Sequence, residues 1–208
     1  MLGGDTAGTG SDFFTGQVLD NRTGEQVAVL HHQFGERMYA EQMYCLGMYY
    51  NTALIGVETN YSTYPEMKLE DLGYPHLYVR ERLDTYTGKL VPAFGFETTT
   101  VTRPVIVDGL KDVARENLET ICDYETLGEM LTFVYDENWK PQAEEGEHDD
   151  LVMALAIAHK IRVQQRTVID HAAAEGTAVW SQDMWEDFNR ADPAAQQMLI
   201  RMWGEPRR

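Results

Sequence analysis

The segment His148-Asp149-Asp150-Leu151-Val152-Met153-Ala154-Leu155-Ala156-Ile157-Ala158 constrains the chain most, because two carboxylates run without a break into a strongly apolar stretch. Its spacing predicts a long helix over about 148–168, and a helix this apolar belongs in a core. Leu151 to Ala158 is too short to span a bilayer. The acids are therefore held at the mouth of a buried helix, close to low-dielectric surroundings. The length of 208 residues and a hydrophobic content of 43% suit one main domain with a sizeable core. We place that domain at 1–170 and a helical C-terminal extension at 171–208.

Ahead of that helix the pattern mixes strands and helices. Gly3 to Asp12 reads as a Gly/Thr/Ser turn region, and Phe13 to Leu19 as a strand. Across Asp20-Asn21-Arg22-Thr23-Gly24, Gln26 to His32 reads as its hairpin partner. Helical spacing covers Gly35 to Tyr50. Ala53 to Val57 reads as a short buried strand with Glu58 at its end. Tyr64 to Leu72 forms a short helix with Pro65 in its first turn, and Leu77 to Arg80 another strand. Glu81 to Thr100 is an extended excursion turning at Thr87-Gly88. Pro104 to Leu118 is helical, and Leu127 to Tyr135 is a helix or a strand. The expected class is α/β, with helices on the faces of a central mixed sheet. In the extension, Trp180, Met184, Trp185, Phe188, Met198, Leu199, Met202 and Trp203 are spread among charges, with Asp192-Pro193 opening a last helix. It reads as packing on the core or as a docking segment.

Charge narrows the function classes. With 17 Lys+Arg against 34 Asp+Glu, the formal net charge is -17. Tight autonomous binding of nucleic acid is disfavoured, because phosphate affinity comes mainly from clustered Lys and Arg. An enzyme that meets nucleic acid through metal ions is not. Cys45 and Cys122 form no CxxC pair, which argues against a disulfide framework or a thiolate zinc site. No signal peptide is readable at the N-terminus. The six histidines supply no HExxH, no GxSxG occurs, and the Gly-rich start lacks the GxxxxGK[ST] lysine of a P-loop.

Three acidic points sit at element ends: Asp5 beside the Gly-rich turn, Glu58 after Leu54-Ile55-Gly56-Val57, and Asp149-Asp150. Carboxylates gathered near a core repel one another unless cations hold them together, and hard divalent cations prefer such oxygen ligands. Each also has an ordinary explanation: a helix cap for Asp149-Asp150, an ion pair with Arg for Glu58, a hairpin turn for Asp5 to Asp12.

Taken together, Gly4-Asp5-Thr6-Ala7-Gly8 with Ser11-Asp12, Ile55-Gly56-Val57-Glu58-Thr59-Asn60 and Gly146-Glu147-His148-Asp149-Asp150 with its apolar helix resemble the C-terminal nuclease domain of the large terminase subunit of tailed bacteriophages. The resemblance runs in order from Gly3 to about Ile161. It implies a ribonuclease H-like fold and metal-dependent endonucleolytic cutting of concatemeric double-stranded viral DNA during packaging. It implies two divalent cations, Mg²⁺ or Mn²⁺, held by Asp5, Glu58 and Asp150, with Asp149 a second ligand or an orienter. Asp12 and His148 become outer-shell candidates. The excursion at 81–100 falls where this family can carry an accessory β-hairpin, making Arg80, Arg82, Lys89 and Lys140 candidate DNA contacts. Implied partners are the packaging ATPase domain of the same subunit, the small terminase subunit and the portal, in the cytoplasm of an infected bacterium. No Walker motif occurs here, so the chain reads as the nuclease domain alone, with little of a first strand before Asp5.

Other functional classes make different demands. A junction resolvase or transposase of the same fold would prefer branched to linear duplex. A nucleotide-binding protein of the actin and sugar-kinase type needs a second, duplicated domain. A non-catalytic assembly module would carry its acids as solvated surface.

Overall fold

Asp20 closes the first hairpin: its Oδ1 accepts the backbone N–H of Arg22 at 2.7 Å and of Thr23 at 3.1 Å. Gly24 completes the turn at φ +83°. The computed structural model describes residues 1–6, 8, 13–33, 35–137, 139–173, 185, 188–191, 196, 197, 199 and 200. Strands β1 (Leu2–Asp5), β2 (Phe14–Leu19) and β3 (Gln26–His32) form an antiparallel meander. Helix α1 (Glu36–Tyr49) then crosses to β4 (Ile55–Val57), which lies parallel to β1. The order β3-β2-β1-β4 puts β1 inside the sheet.

Helices cover both faces. On one, α1 and α2 (Tyr64–Asp71) bury Tyr39, Met43 and Leu69 against Leu2, Val18, Ile55 and Val57. On the other, α3 (Thr102–Glu116) and α5 (Asp150–Ala173) bury Ile106, Leu110, Leu155 and Ile161 with Met1, Leu19 and Phe96. Every residue from Leu151 to Ala158 is buried, which is why this stretch carries no amphipathic pattern. Among the described residues no helix is long and apolar enough to cross a membrane.

Beyond β4 the sheet continues as a fifth, interrupted strand. Ile55 bridges Leu77 in parallel, and Glu58 bridges Phe96. Between those contacts the chain leaves as a hairpin of β5 (Val79–Leu83) and β6 (Leu90–Phe94). It returns through Gly95, at φ +77°. The interruption leaves the Val57 N–H without a strand partner, and Glu66 Oε1 accepts it at 2.8 Å. Burial pushes the Glu66 carboxyl up to about 8, opposed by that hydrogen bond and by Arg80. Its Oε2 has no hydrogen-bond partner among the described residues.

The structure corrects the expected turn at Gly3–Asp5, which belongs to the buried strand β1 with all four of its residues, Leu2–Asp5, in register. Glycines stand there because of close approach, not turning. A Cβ on Gly3 would lie 2.7 Å from the Ala158 Cα of α5, and one on Gly4 would enter the Tyr39 hydroxyl and meet Met43 Cε at 2.8 Å. Leu127 to Tyr135 divides into helix α4 (Tyr124–Leu131) and strand β7 (Phe133–Tyr135), which pairs with β8 (Pro141–Ala143). Helix α5 starts at Asp150.

Two compact units are present, Met1–Gln165 and Arg166–Arg208. In the second, 188–190 are helical, the Trp185 and Phe188 rings meet edge to face at 6.2 Å, and Gln196 Nε2 donates to Phe188 O at 3.0 Å. Trp180, Met184, Asp192, Pro193, Met198, Met202 and Trp203 lie outside the described residues.

Two outcomes follow for stability. Gly3→Val drives a branched side chain into the α5 backbone and lowers stability by about 3 kcal/mol or more. Gly109→Ala, on α3 with nothing within 4 Å of the added Cβ, gains roughly 0.5–1 kcal/mol; denaturant melts of both variants check the contrast. For Glu66, the folded value of about 8 lies above the ordinary 4.5. Its contribution is therefore full below about pH 4.5 and is lost as pH rises through about 8. The metal-free melting temperature should fall between about pH 5 and pH 9, and Glu66→Gln should flatten that profile. An unchanged slope in the variant would show that Glu66 is not its source.

Candidate active site

Strand register brings the first two acids together. Gly4 pairs with Val57 across the parallel β1–β4 ladder, and the Glu58 N–H donates to Gly4 O at 2.8 Å. Asp5 and Glu58 thus occupy neighbouring positions at the C-terminal ends of adjacent strands. Side chains alternate along a strand. A Cβ at Gly3 would meet α5, one at Gly4 would meet α1, and one at Gly56 would meet Ile161 of α5. Asp5 and Glu58 therefore project on the α5 side, where that helix begins with Asp150. Asp5, Glu58, Asp149 and Asp150 line one open cleft of about 470 Å³, with Thr6, Asn60, Thr98, Arg103 and His148.

The cleft is electrostatically strained. Asp5 is 7% exposed and Glu58 is 5% exposed. Burial holds the Asp5 carboxyl well above the usual carboxylate range, helped by the Glu58 charge and a hydrogen bond shared with Glu58, then by Asp150 and Asp149. The Asp5 Oδ1 also accepts the Thr6 N–H at 3.0 Å. Among the described residues neither Asp5 nor Glu58 forms a salt bridge. The alternative explanation of Glu58, an ion pair with Arg, is thus not found there. Nor, among the described residues, is any group of three or more His, Cys, Asp or Glu drawn together closely enough to hold a metal ion as it stands.

Asp149 and Asp150 have different surroundings. Asp149 forms a salt bridge with Arg103 of α3, whose Nε also donates to Pro141 O at 2.8 Å. Asp150 Oδ2 accepts the Phe13 N–H at 3.2 Å and lies 3.7 Å from His148 Nδ1. Neither carboxylate has to cap α5, because Glu129 of α4 does so: its Oε2 accepts the N–H groups of Leu151 at 2.8 Å and Val152 at 3.1 Å. Burial raises the Glu129 carboxyl to about 7, with the Asp150 and Asp149 charges adding to the rise.

A buried polar network secures α4 in turn. Gln17 Nε2 donates to Thr126 Oγ1 at 2.9 Å, and Gln26 Nε2 donates to Gln17 Oε1 at 2.7 Å. Gln26 Oε1 accepts the N–H groups of Cys122 and Asp123, each at 2.7 Å. Asp123 caps α4 by accepting the Thr126 N–H at 2.7 Å. The sheet thereby holds the element that holds the start of α5.

Of the residues singled out from sequence, Asp5, Glu58, Asp149, Asp150 and His148 share the cleft. Asp12 lies outside the described residues. Arg80, Arg82 and Lys89 are not among the residues lining the cleft. Arg80 instead donates to Phe94 O at 2.6 Å and Gly95 O at 2.8 Å and pairs with Glu97. Arg82 lies on β5, and Lys89 sits in the hairpin turn, where its carbonyl accepts the Asp84 N–H. Lys140 lines a neighbouring hollow. Sequence reading missed Arg103, Glu129 and Glu66. None has a local signature, since each meets its partner only through packing of a second helix.

No protein-family model matches the chain, and no curated protein does. Among solved structures, the large terminase nuclease from thermophilic phage G20c matches with a TM-score of 0.56 at 18% identity, covering 76% of this chain and 80% of that one. The same nuclease with bound magnesium matches with a TM-score of 0.58 at 16% identity, covering 76% and 79%. The chain has the ribonuclease H-like fold of the large terminase nuclease, with a central mixed sheet flanked by helices.

Proposed function

We propose that this chain is a divalent-metal-dependent endonuclease that cuts concatemeric double-stranded viral DNA during genome packaging. One observation carries the reading: carboxylates from the ends of β1 and β4 and the start of α5 meet in one open cleft, in a chain with the large terminase nuclease fold. The donor set suits a hard cation, being carboxylate oxygen on rigid elements with no thiolate. Asp5, Glu58 and Asp150 would hold the cations, two Mg²⁺ or Mn²⁺ ions in this reading. When bound, such ions activate a water and stabilise the charge that builds on a phosphodiester.

The chain's own residues do the positioning. Register sets the Asp5–Glu58 pair side by side, Phe13 N–H orients Asp150, and Arg103 holds Asp149 as an orienter. Burial keeps these acids in a low-dielectric setting, where a cation offsets their repulsion. The same resemblance proposes the packaging ATPase, the small terminase subunit and the portal as partners, in the cytoplasm of an infected host. They would deliver DNA at high local concentration to a chain whose net charge of -17 gives little affinity of its own.

Plasmid incubated with Mn²⁺ should be nicked and linearised, more slowly with Mg²⁺ and not at all in EDTA. Cutting that persists in EDTA would remove the metal-dependent mechanism.

Substitution separates catalysis from folding. Asp5→Asn, Glu58→Gln and Asp150→Asn should each lower cleavage by about a hundredfold or more, through loss of a ligand. Melting curves without metal should stay level or rise, because Glu58→Gln and Asp150→Asn each remove a repelling charge and Asp5→Asn replaces a carboxyl whose ionisation burial already opposes. Asp149→Asn should reduce cleavage less, because its carboxylate is already engaged by Arg103. Wild-type cleavage by Asp5→Asn or Glu58→Gln would sink the assignment.

A further inference from the structure

A second hollow of about 590 Å³ adjoins the carboxylate cleft and shares Asn60, Thr98 and Arg103 with it. Nothing in the cleavage chemistry uses it. The shared wall is built: Asn60 Nδ2 donates to Thr98 O at 2.5 Å, and Asn60 Oδ1 accepts the Thr98 N–H at 2.9 Å. Thr98 Oγ1 is buried with no hydrogen-bond partner among the described residues.

Trp139 and Lys140, from the loop between β7 and β8, line this hollow. The Trp139 indole is not packed away, being 81% exposed. Its backbone sits at φ +60°, a left-handed conformation that bulky residues seldom adopt. Hydrogen bonds hold it there: Trp139 N–H donates to Asp136 O at 3.0 Å, Asp136 N–H to Lys140 O at 3.0 Å, and Lys140 N–H to Asp136 Oδ1 at 2.8 Å. Tyr135 flanks the indole, with ring centroids 6.1 Å apart. Such a residue gains little from burial, the usual stabilisation of tryptophan, and is strained as well. Strain of this kind clusters at ligand clamps.

An exposed indole beside a lysine is the chemistry that takes an unpaired nucleotide, because every base has a face to stack and every phosphate a charge to meet. An intact duplex keeps those faces inside. We propose that the hollow receives an unpaired nucleotide next to the scissile phosphate, its base stacked on Trp139 and its phosphate toward Lys140. This rests on the nuclease reading and adds a substrate preference: DNA that is gapped or frayed at the cut over fully paired duplex.

The test uses the full chain at low salt in EDTA, so that binding is read without cleavage. With Trp180, Trp185 and Trp203 changed to Phe, Trp139 reports alone. Its fluorescence should be quenched by oligothymidylate and by a gapped duplex, and much less by a blunt duplex. In the otherwise native chain, Trp139→Ala should weaken oligothymidylate binding about tenfold by anisotropy, and Trp139→Phe should recover most of it. With Mn²⁺, Trp139→Ala should lose the preference for gapped over blunt duplex while still cutting plasmid. An unquenched Trp139 at saturating oligothymidylate, or equal binding by Trp139→Ala, overturns the proposal. If plasmid cleavage survives that result, the nuclease reading stands without it. Absence of both cleavage and DNA binding overturns the two together.

Discussion

The contact on which the site depends is the bare approach of helix α5 to strand β1. Gly3 has no side chain, so the Ala154 and Ala158 backbone can lie directly on the strand. That contact sets the depth of α5 in the sheet and therefore where Asp150 stands relative to Asp5 and Glu58. Any Cβ at Gly3 would lift the helix and withdraw the third acid from the other two. Close packing makes such a displacement costly, since α5 is buried without a break from Leu151 to Ala158 and has no slack to absorb it.

Around that contact the protein concentrates carboxyl groups where ionisation is least welcome. Asp5, Glu58 and Glu66 are buried, and Glu129 is half-buried. Two of these acids serve the frame: Glu66 supplies the partner that β4 loses where the fifth strand is interrupted, and Glu129 supplies the cap of α5. Both take on backbone N–H groups that would otherwise be buried without a partner. Because Glu129 does the capping, Asp149 and Asp150 are released from the role that two acids at a helix start would otherwise fill. A carboxylate that is not needed by the helix can serve the cleft.

The interruption of the fifth strand also shapes the surroundings of the site. Its second half returns through Gly95 to Phe96, beside Glu58, and leads on to Thr98, which Asn60 fixes. From there α3 begins, carrying Arg103 to Asp149 and to Pro141 of β8. One detour of the chain thus links the second acid, the cation beside the cleft and the loop that carries Trp139.

What the sequence determined by itself was local. The turn at Asp20–Gly24, the helix beginning at Glu36, the acid after the apolar strand Ile55–Val57 and the acid pair opening an apolar helix were all legible. Each is written in neighbouring residues through period, turn chemistry or an abrupt change of polarity. Gly3-Gly4 misled, because glycine marks both a turn and a place where another backbone or a bulky side chain comes close, and only packing tells these apart. Tertiary structure alone decided that Asp5 stands beside Glu58, since parallel register is set by strands more than fifty residues apart. It also decided that Arg103 holds Asp149 and that Glu129 frees the acid pair. Those roles belong to ordinary residues of surface-like helices, and their partners are distant in the chain. No local pattern can encode an interaction whose second half is supplied by another element.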